Sequence, residues 1–263
     1  MTRLRSFLAI AASALVVAPV LAAQGTRYSV PFGVGESMSY DVKFGPLTVG
    51  SGRMFVAGID TIRGTPAWHL RLELRAGIPG FRVQNTLESW VDVETFHALR
   101  YRLETQQGGK EERRVAEIFP DRKVYRETDW RPSKNGGGLQ EIDRGEHPSV
   151  AQPLDQASFL FFARTVPLEL GKTYAFDRYY KPTSNPVTLA VLRKEKVRVP
   201  AGEFHSIVVR PTFKSLGIFG QNGRAEVWFT DDDRHMMVRM ETHVAFGSIT
   251  LLLKEFQGSG VPE

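Results

Sequence analysis

Cysteine is absent from the 263 residues. Disulfides therefore contribute nothing to stability, and thiolate metal sites and cysteine nucleophiles are excluded. Histidine is scarce: six residues, at 69, 97, 147, 205, 235 and 243, none of them in a His-x-His or His-Glu-x-x-His pattern. Zinc motifs are excluded on that spacing, and each His reads as a strand's polar face or a turn residue. No Gly-x-Ser-x-Gly occurs, and Ser158 and Ser248 have no local His or acid. A triad built from distant strands stays open, because triad partners meet in space rather than in sequence. Leu170-Gly-Lys-Thr173 resembles the end of a phosphate loop, but the first Gly such a loop requires falls on Val166. Gly33-Val-Gly35 lacks the third Gly of a dinucleotide fingerprint, since Met38 stands there. No catalytic residue, metal ligand or cofactor is assigned.

Charge of one sign is also lacking. The net charge is +5, and Arg3 and Arg5 account for part of it. Lys110-Glu-Glu-Arg-Arg114 is mixed, and Arg193-Lys-Glu-Lys-Val-Arg198 alternates with apolar residues. Such charges form the wet face of strands rather than a nucleic-acid groove, so nucleic acid is excluded as a partner. A weak attraction to an anionic envelope surface remains.

Only one long apolar run exists, Phe7 to Ala23, and it follows the basic Arg3 and Arg5. With the small residues Ala22 and Ala23 before Gln24, it reads as a secretory signal peptide over residues 1–23. The alternative is a membrane anchor, for which the run is at the short limit. No Cys follows it, so lipid anchoring at this site is excluded. The expectation is a periplasmic or otherwise exported protein with no stable transmembrane anchor after cleavage. Residues 24–263 are then one β-rich domain, large enough to bury its own core.

Period-two alternation dominates what remains. Met38, Tyr40, Val42 and Phe44 alternate with Ser37, Ser39, Asp41 and Lys43; Trp68, Leu70, Leu72 and Leu74 alternate with His69, Arg71, Glu73 and Arg75. Each pattern buries one strand face and wets the other. Gly45-Pro46, Gly64-Thr-Pro66, Gly77-Ile-Pro-Gly80, Gly108-Gly109, Pro200-Ala-Gly202 and Asn222-Gly223 punctuate the strands. The fold predicted is mainly all-β: a curved antiparallel sheet or open barrel of many short strands. One helix is predicted at about 155–165, capped by Asp155, with Phe159 and Phe162 on one face. The Gly-rich stretch 131–153 reads as a long loop joining two halves, about 28–130 and 153–257. The block from Glu226 to Leu253 reads as three strands with an acidic turn at Asp231-Asp-Asp233. That turn is the preferred reading over a Ca²⁺ site, since Asp residues bond their own backbone in tight turns.

A faint internal repeat accompanies this pattern. Gly35 to Phe44 resembles Gly171 to Tyr180 at an offset of 136, and Glu88, Trp90 and His97 match Glu226, Trp228 and His235 at 138. Two similar hairpins would give the same signal as a duplication. Each Glu shares strand parity with its Trp, so both pairs could face one cavity. Paired carboxylates for sugar chemistry is one reading of them; salt-bridged structural Glu is the preferred one.

Several landmarks resemble a family of bacterial exported proteins, domain of unknown function 3108. They are Phe32 to Tyr40 with Gly45 to Gly50, Leu154 to Arg164 with Gly171, Val199 to Phe204, Trp228 to Arg234, and Gly247 to Thr250. Where the resemblance leads one to expect a Pro after the acidic turn, Met236-Met237 stands. The resemblance implies an exported β-rich domain and carries no catalytic residues. Two apolar loops, Gly77-Ile-Pro-Gly-Phe81 and Leu216-Gly-Ile-Phe-Gly220, are the better functional signal, because loops are normally polar. They read either as a ligand mouth, a membrane contact or a partner contact, or as lids over the core. The candidate ligand-binding residues are Trp68, Ile78, Phe81, Trp90, Ile218, Phe219 and Trp228. The function expected is binding of a lipid-like apolar or amphipathic ligand or an envelope partner. The alternatives are a hydrolase of an envelope glycan or lipid and a structural factor without a pocket.

Overall fold

The computed structural model describes residues 28–78, 80–133, 138–214, 225–244 and 247–259, with the backbone alone at 78, 81, 243, 244 and 247. Fourteen strands form one antiparallel sheet that does not close into a barrel. The first meander contains β1 (Ser37–Phe44), β2 (Leu47–Ile62), β3 (Thr65–Ile78), β4 (Phe81–Asp92), β5 (Ala98–Gln107), β6 (Lys110–Phe119), β7 (Val124–Pro132) and β8 (Leu139–Pro148). The second contains β9 (Thr173–Phe176), β10 (Val187–Val199), β11 (Gly202–Thr212), β12 (Glu226–Thr230), β13 (Met237–Val244) and β14 (Gly247–Gln257). The two meanders join along β1 and β14, where Tyr40 pairs with Leu253 and Val42 with Leu251. Strands β8 and β9 are the two free edges.

The period-two residues become the two faces of this sheet. Met38, Tyr40, Val42, Met54, Val56, Trp68 and Leu70 are all buried in one core with Val227, Phe229 and Leu253. We call this the inner face, and the Arg- and Glu-rich opposite side the outer face. Burying a Leu- or Phe-sized side chain stabilises by roughly 1.5–3 kcal/mol, so this face drives the curvature that curls the sheet around it. The strands are longer than the sequence suggested: β2 runs 16 residues and β3 runs 14. A bulge interrupts the alternation within β2. The register slips between Val56 and Gly58, so residues beyond it change face. The β2–β3 turn is Arg63-Gly64, both at positive φ (50° and 84°). That is the geometry of a two-residue hairpin turn whose twist matches the strands.

The helix is α1 (Gln156–Ala163), capped as predicted by Asp155. Asp155 Oδ1 accepts from the amides of Ala157 and Ser158, both at 2.9 Å, and Ser158 Oγ accepts from the Asp155 amide at 2.8 Å. These bonds satisfy three amides that would otherwise be orphaned. Every residue from Ala157 to Ala163 is buried, rather than one face alone. An all-round apolar helix belongs inside a core. Phe159 meets Phe213 at 5.0 Å, Phe161 meets Phe32 at 5.2 Å and Phe162 meets Phe176 at 5.0 Å. The helix lies on the inner face against β3 and β4.

The stretch 131–153 is not the loop expected from its glycines, for it contains the whole of β8. As an edge strand with mostly exposed residues, β8 has no buried face to advertise. The gap between the edges is spanned near the helix by the segment 149–155. There Leu154 bridges Tyr179, and Ser149 Oγ donates to the Tyr180 carbonyl at 2.8 Å.

Candidate ligand-binding face

Cross-strand register sorts every residue onto the inner or outer face, because directly opposed residues share a face. One inner row runs Met54, Leu72, Leu87, Leu103, Arg114, Asp129 and Ile142, from β2 to β8. The helix covers the neighbouring row, where Ser89 and Tyr101 are buried. Away from the helix this face is only half-buried: Leu72, Leu87 and Leu103 of that row, with Leu74, Ala76 and Ile249 beside it, pack against the core without being enclosed by it. This is the candidate site, an apolar inner surface that continues the core away from α1.

At β6 to β8 the same face turns ionic. Asp129, 2% exposed, accepts from Arg114 Nε at 2.8 Å, Arg131 Nη2 at 3.1 Å and Arg144 Nε at 3.1 Å. Burial opposes ionisation of Asp129, but the hydrogen bonds from Arg114 and Arg144 outweigh it and hold the carboxyl below its usual range. Glu127 takes Lys181 Nζ at 2.7 Å and the Tyr180 hydroxyl at 3.3 Å. Nearer the helix, Ser89 Oγ donates to Asp155 Oδ2 at 2.5 Å. Burial dominates at Asp155 and pushes its carboxyl up to about 6.

The predicted ligand residues separate. Trp68 lies on the inner face, buried edge-on against Phe32 at 5.8 Å. Trp90 pairs with His69 and lies on the outer face. It stacks on that ring at 4.5 Å and donates from Nε1 to Asp60 at 2.7 Å. Trp228 pairs with Arg239, whose partner Leu252 pairs with Asp41, which again is the outer face. Its Nε1 donates to Glu195 at 2.6 Å, and Arg239 sits 4.5 Å over its ring. The shared cavity inferred from Glu–Trp parity is therefore not formed: the parity is as read, but it points both pairs outward. Ile218 and Phe219 and the side chains of Ile78 and Phe81 lie outside the described residues. Strands β3 and β4 stay paired up to Ile78 opposite Phe81, with Gly80 at φ 84°, so no extended loop separates them there.

Both outer carboxylates are ion-paired. Glu88 meets His69 at 3.1 Å, Arg71 at 3.3 Å and Arg102 at 3.5 Å. The His69 hydrogen bond holds Glu88 below its usual range against the effect of burial. Glu226 meets Arg210 at 2.6 Å and Arg193 at 2.9 Å. Burial opposes its ionisation, and these two hydrogen bonds override that. The acidic turn is a turn: Asp232 accepts from Thr230 Oγ1 at 2.6 Å and from the Arg234 amide at 3.1 Å. Among the described residues no cluster of three or more His, Asp or Glu could hold a metal ion.

Two features had no sequence signal. Arg164, 1% exposed, pairs with buried Glu36 at 2.6 Å, tying the end of α1 to the start of β1. A groove of about 790 Å³ is lined by residues that include Ser51, Arg75, Arg82, Gln84 and Gln106. Register puts those five on the outer face. The chain comes close there: a Cβ on Gly50 would meet the Arg75 carbonyl oxygen at 1.9 Å.

The model of one family, described as protein of unknown function (DUF3108), matches residues 39–254, and the chain belongs to that family. No curated protein matches the sequence. Among solved structures, the chain is similar to a β-barrel-like protein of domain of unknown function DUF1849 from Brucella abortus. That likeness has 9% identity and a TM-score of 0.49, over 88% of this chain and 100% of the other. It is similar also to a "putative lipoprotein" from Parabacteroides distasonis, at 9% identity and a TM-score of 0.30, covering 87% and 98%. A third is a "putative exported protein with YmcC-like fold" from Bacteroides fragilis, at 12% identity and a TM-score of 0.29, covering 88% and 99%.

Proposed function

We propose that this DUF3108 member is an exported envelope protein, periplasmic after loss of residues 1–23, that binds an apolar or amphipathic ligand on its inner face without chemical turnover. The observation that carries the reading is the half-buried apolar surface of Leu72, Leu74, Ala76, Leu87, Leu103 and Ile249, continuous with the core yet not enclosed. An apolar surface left partly in water costs free energy that a ligand recovers. The hydrolase reading finds less support. Glu88 and Glu226 are each spoken for by two arginines, and both lie on the face away from this surface. A poised general acid needs a raised pKa, and theirs are lowered.

The test is saturable binding of the neutral apolar dye N-phenyl-1-naphthylamine to the protein beginning at Gln24. Wild type is expected to bind about one dye per chain, and Leu87→Asp with Leu103→Asp to lose binding, because a bound apolar group would have to desolvate two carboxylates. Absence of saturable binding by wild type overturns the reading and leaves the protein a structural factor with a filled interior.

A further inference from the structure

We infer that the inner face takes an acyl chain with an anionic headgroup, and that the head sits against Arg114, Arg131 and Arg144. This rests on the binding reading above and names the ligand class. The evidence is the composition of a single cross-strand row. Met54, Leu72, Leu87 and Leu103 are apolar; the next two partners on the same face are Arg114 and Asp129. Adjacent strands lie about 4.8 Å apart, so the half-buried apolar part of the row, Leu72 to Leu103, spans roughly 10 Å and abuts the enclosed Met54. The surface is therefore amphipathic along one line, apolar over three strands and ionic over the next two.

The ionic end carries surplus positive charge. Arg114, Arg131, Arg144 and Lys181 face the carboxylates of Glu127 and Asp129, four cations against two anions. Glu112, in the adjoining row, is exposed to solvent. Asp129 is enclosed, its side chain 3% exposed, whereas those of Arg114, Arg131 and Arg144 are 31%, 43% and 40% exposed. Asp129 thus works as an internal counter-ion that fixes three guanidinium groups whose other edges face the solvent side. A guanidinium has five N–H donors in a planar fork, suited to a carboxylate or phosphate. A head held there avoids the ordering cost that flexible cations would impose.

The experiment measures cis-parinaric acid and its methyl ester, which share a chain and differ in head charge. It uses wild type and the Arg131→Gln/Arg144→Gln variant, which leaves Arg114 in place to hold both carboxylates. A charge-assisted hydrogen bond contributes enough for about a tenfold preference. Wild type is expected to bind the acid about tenfold more tightly than the ester, and the variant to lose that preference with ester affinity unchanged. Rising salt should weaken the acid alone in wild type, a readout that needs no variant to fold. Equal wild-type affinities for acid and ester, without salt dependence, overturn the headgroup assignment while the binding function stands. Equal loss of both ligands in a folded variant also overturns it. Binding of neither by wild type overturns the headgroup assignment and the binding function together.

Discussion

Asp155 shows how much one side chain can reveal and conceal. As an N-cap it was legible, because Asp before an apolar run is a helix start signal. Its complete burial and its bond to Ser89 were not, since they depend on β4 meeting α1. Burial raises its carboxyl from the ordinary 3.8 to about 6. A raised acid binds its proton more tightly in the folded chain than in the unfolded one. Stability from this group is therefore full below about pH 4 and falls as pH rises to about 6, by on the order of 3 kcal/mol. Glu88 and Asp129 have lowered values, so their contribution is lost as pH falls through the ordinary carboxylate range and below. His97, held below its usual value by burial, also loses stability as pH falls. Asp155→Asn keeps the cap oxygen and removes the charge. Urea unfolding across pH 4 to 7 should show the variant gaining on wild type by about that amount as pH rises. Parallel curves would mean that Asp155 is not a strained carboxylate. The tryptophans teach the same lesson about legibility. Alternation placed Trp68 with the apolar set correctly, but for Trp90 and Trp228 it could fix only which residues share a face. Arginines and a histidine cover those rings from outside, which no period-two count detects.

At the scale of elements, strands with a buried face announced themselves and the edge strand did not. The inner positions of β1 and β3 read directly from the sequence because solvent on one side and core on the other impose alternation. Strand β8 has neither a buried face nor an apolar set, and Gly138 just before it and Gly145 within it look like loop punctuation. Its place in the fold comes from pairing with β7, where Thr128 meets Asp143 and Trp130 meets Glu141. Negative and positive side chains along it, with the slip between Arg126 and Thr128, discourage pairing with a second chain. Local stability follows contact with the core. Amide hydrogen exchange in β8 is expected to be at least tenfold faster than in β1 and β14, where the seam is covered by Tyr40, Val42 and Leu253. Protection in β8 equal to that of the seam would show that the edge is held by something besides β7.

For the molecule as a whole, the two meanders are the question. Several strands of one answer strands of the other at a near-constant interval, although Phe81 and Glu226, which open β4 and β12, are 145 apart. Thr65 and Gly202, which open β3 and β11, are 137 apart; Ala98 and Met237, which open β5 and β13, are 139 apart; Lys110 and Gly247, which open β6 and β14, are 137 apart. These three strand pairs keep an offset close to that of the Trp and His markers, as either a duplication or two similar sets of hairpins would give. Glu88 and Glu226 even keep the same company, each between arginines beside an outward Trp. Neither meander owns a complete core, however. The β1–β14 seam unites their inner faces, α1 from between them packs on β3 and β4, and buried Arg164 after it pairs with Glu36 before β1. Breaking the halves apart would strand that charge pair and open the apolar face along the seam, each a cost of several kcal/mol. Unfolding should therefore be one cooperative event. Tryptophan fluorescence, which reports Trp68, Trp90 and Trp130 in one meander and Trp228 in the other, should trace the same denaturant transition as far-ultraviolet circular dichroism. Single-Trp variants retaining either Trp90 or Trp228 should share a midpoint once each is compared with circular dichroism of the same variant. Two separated midpoints within one variant would show the meanders to be independent units, and the seam to be a contact between domains rather than the spine of one.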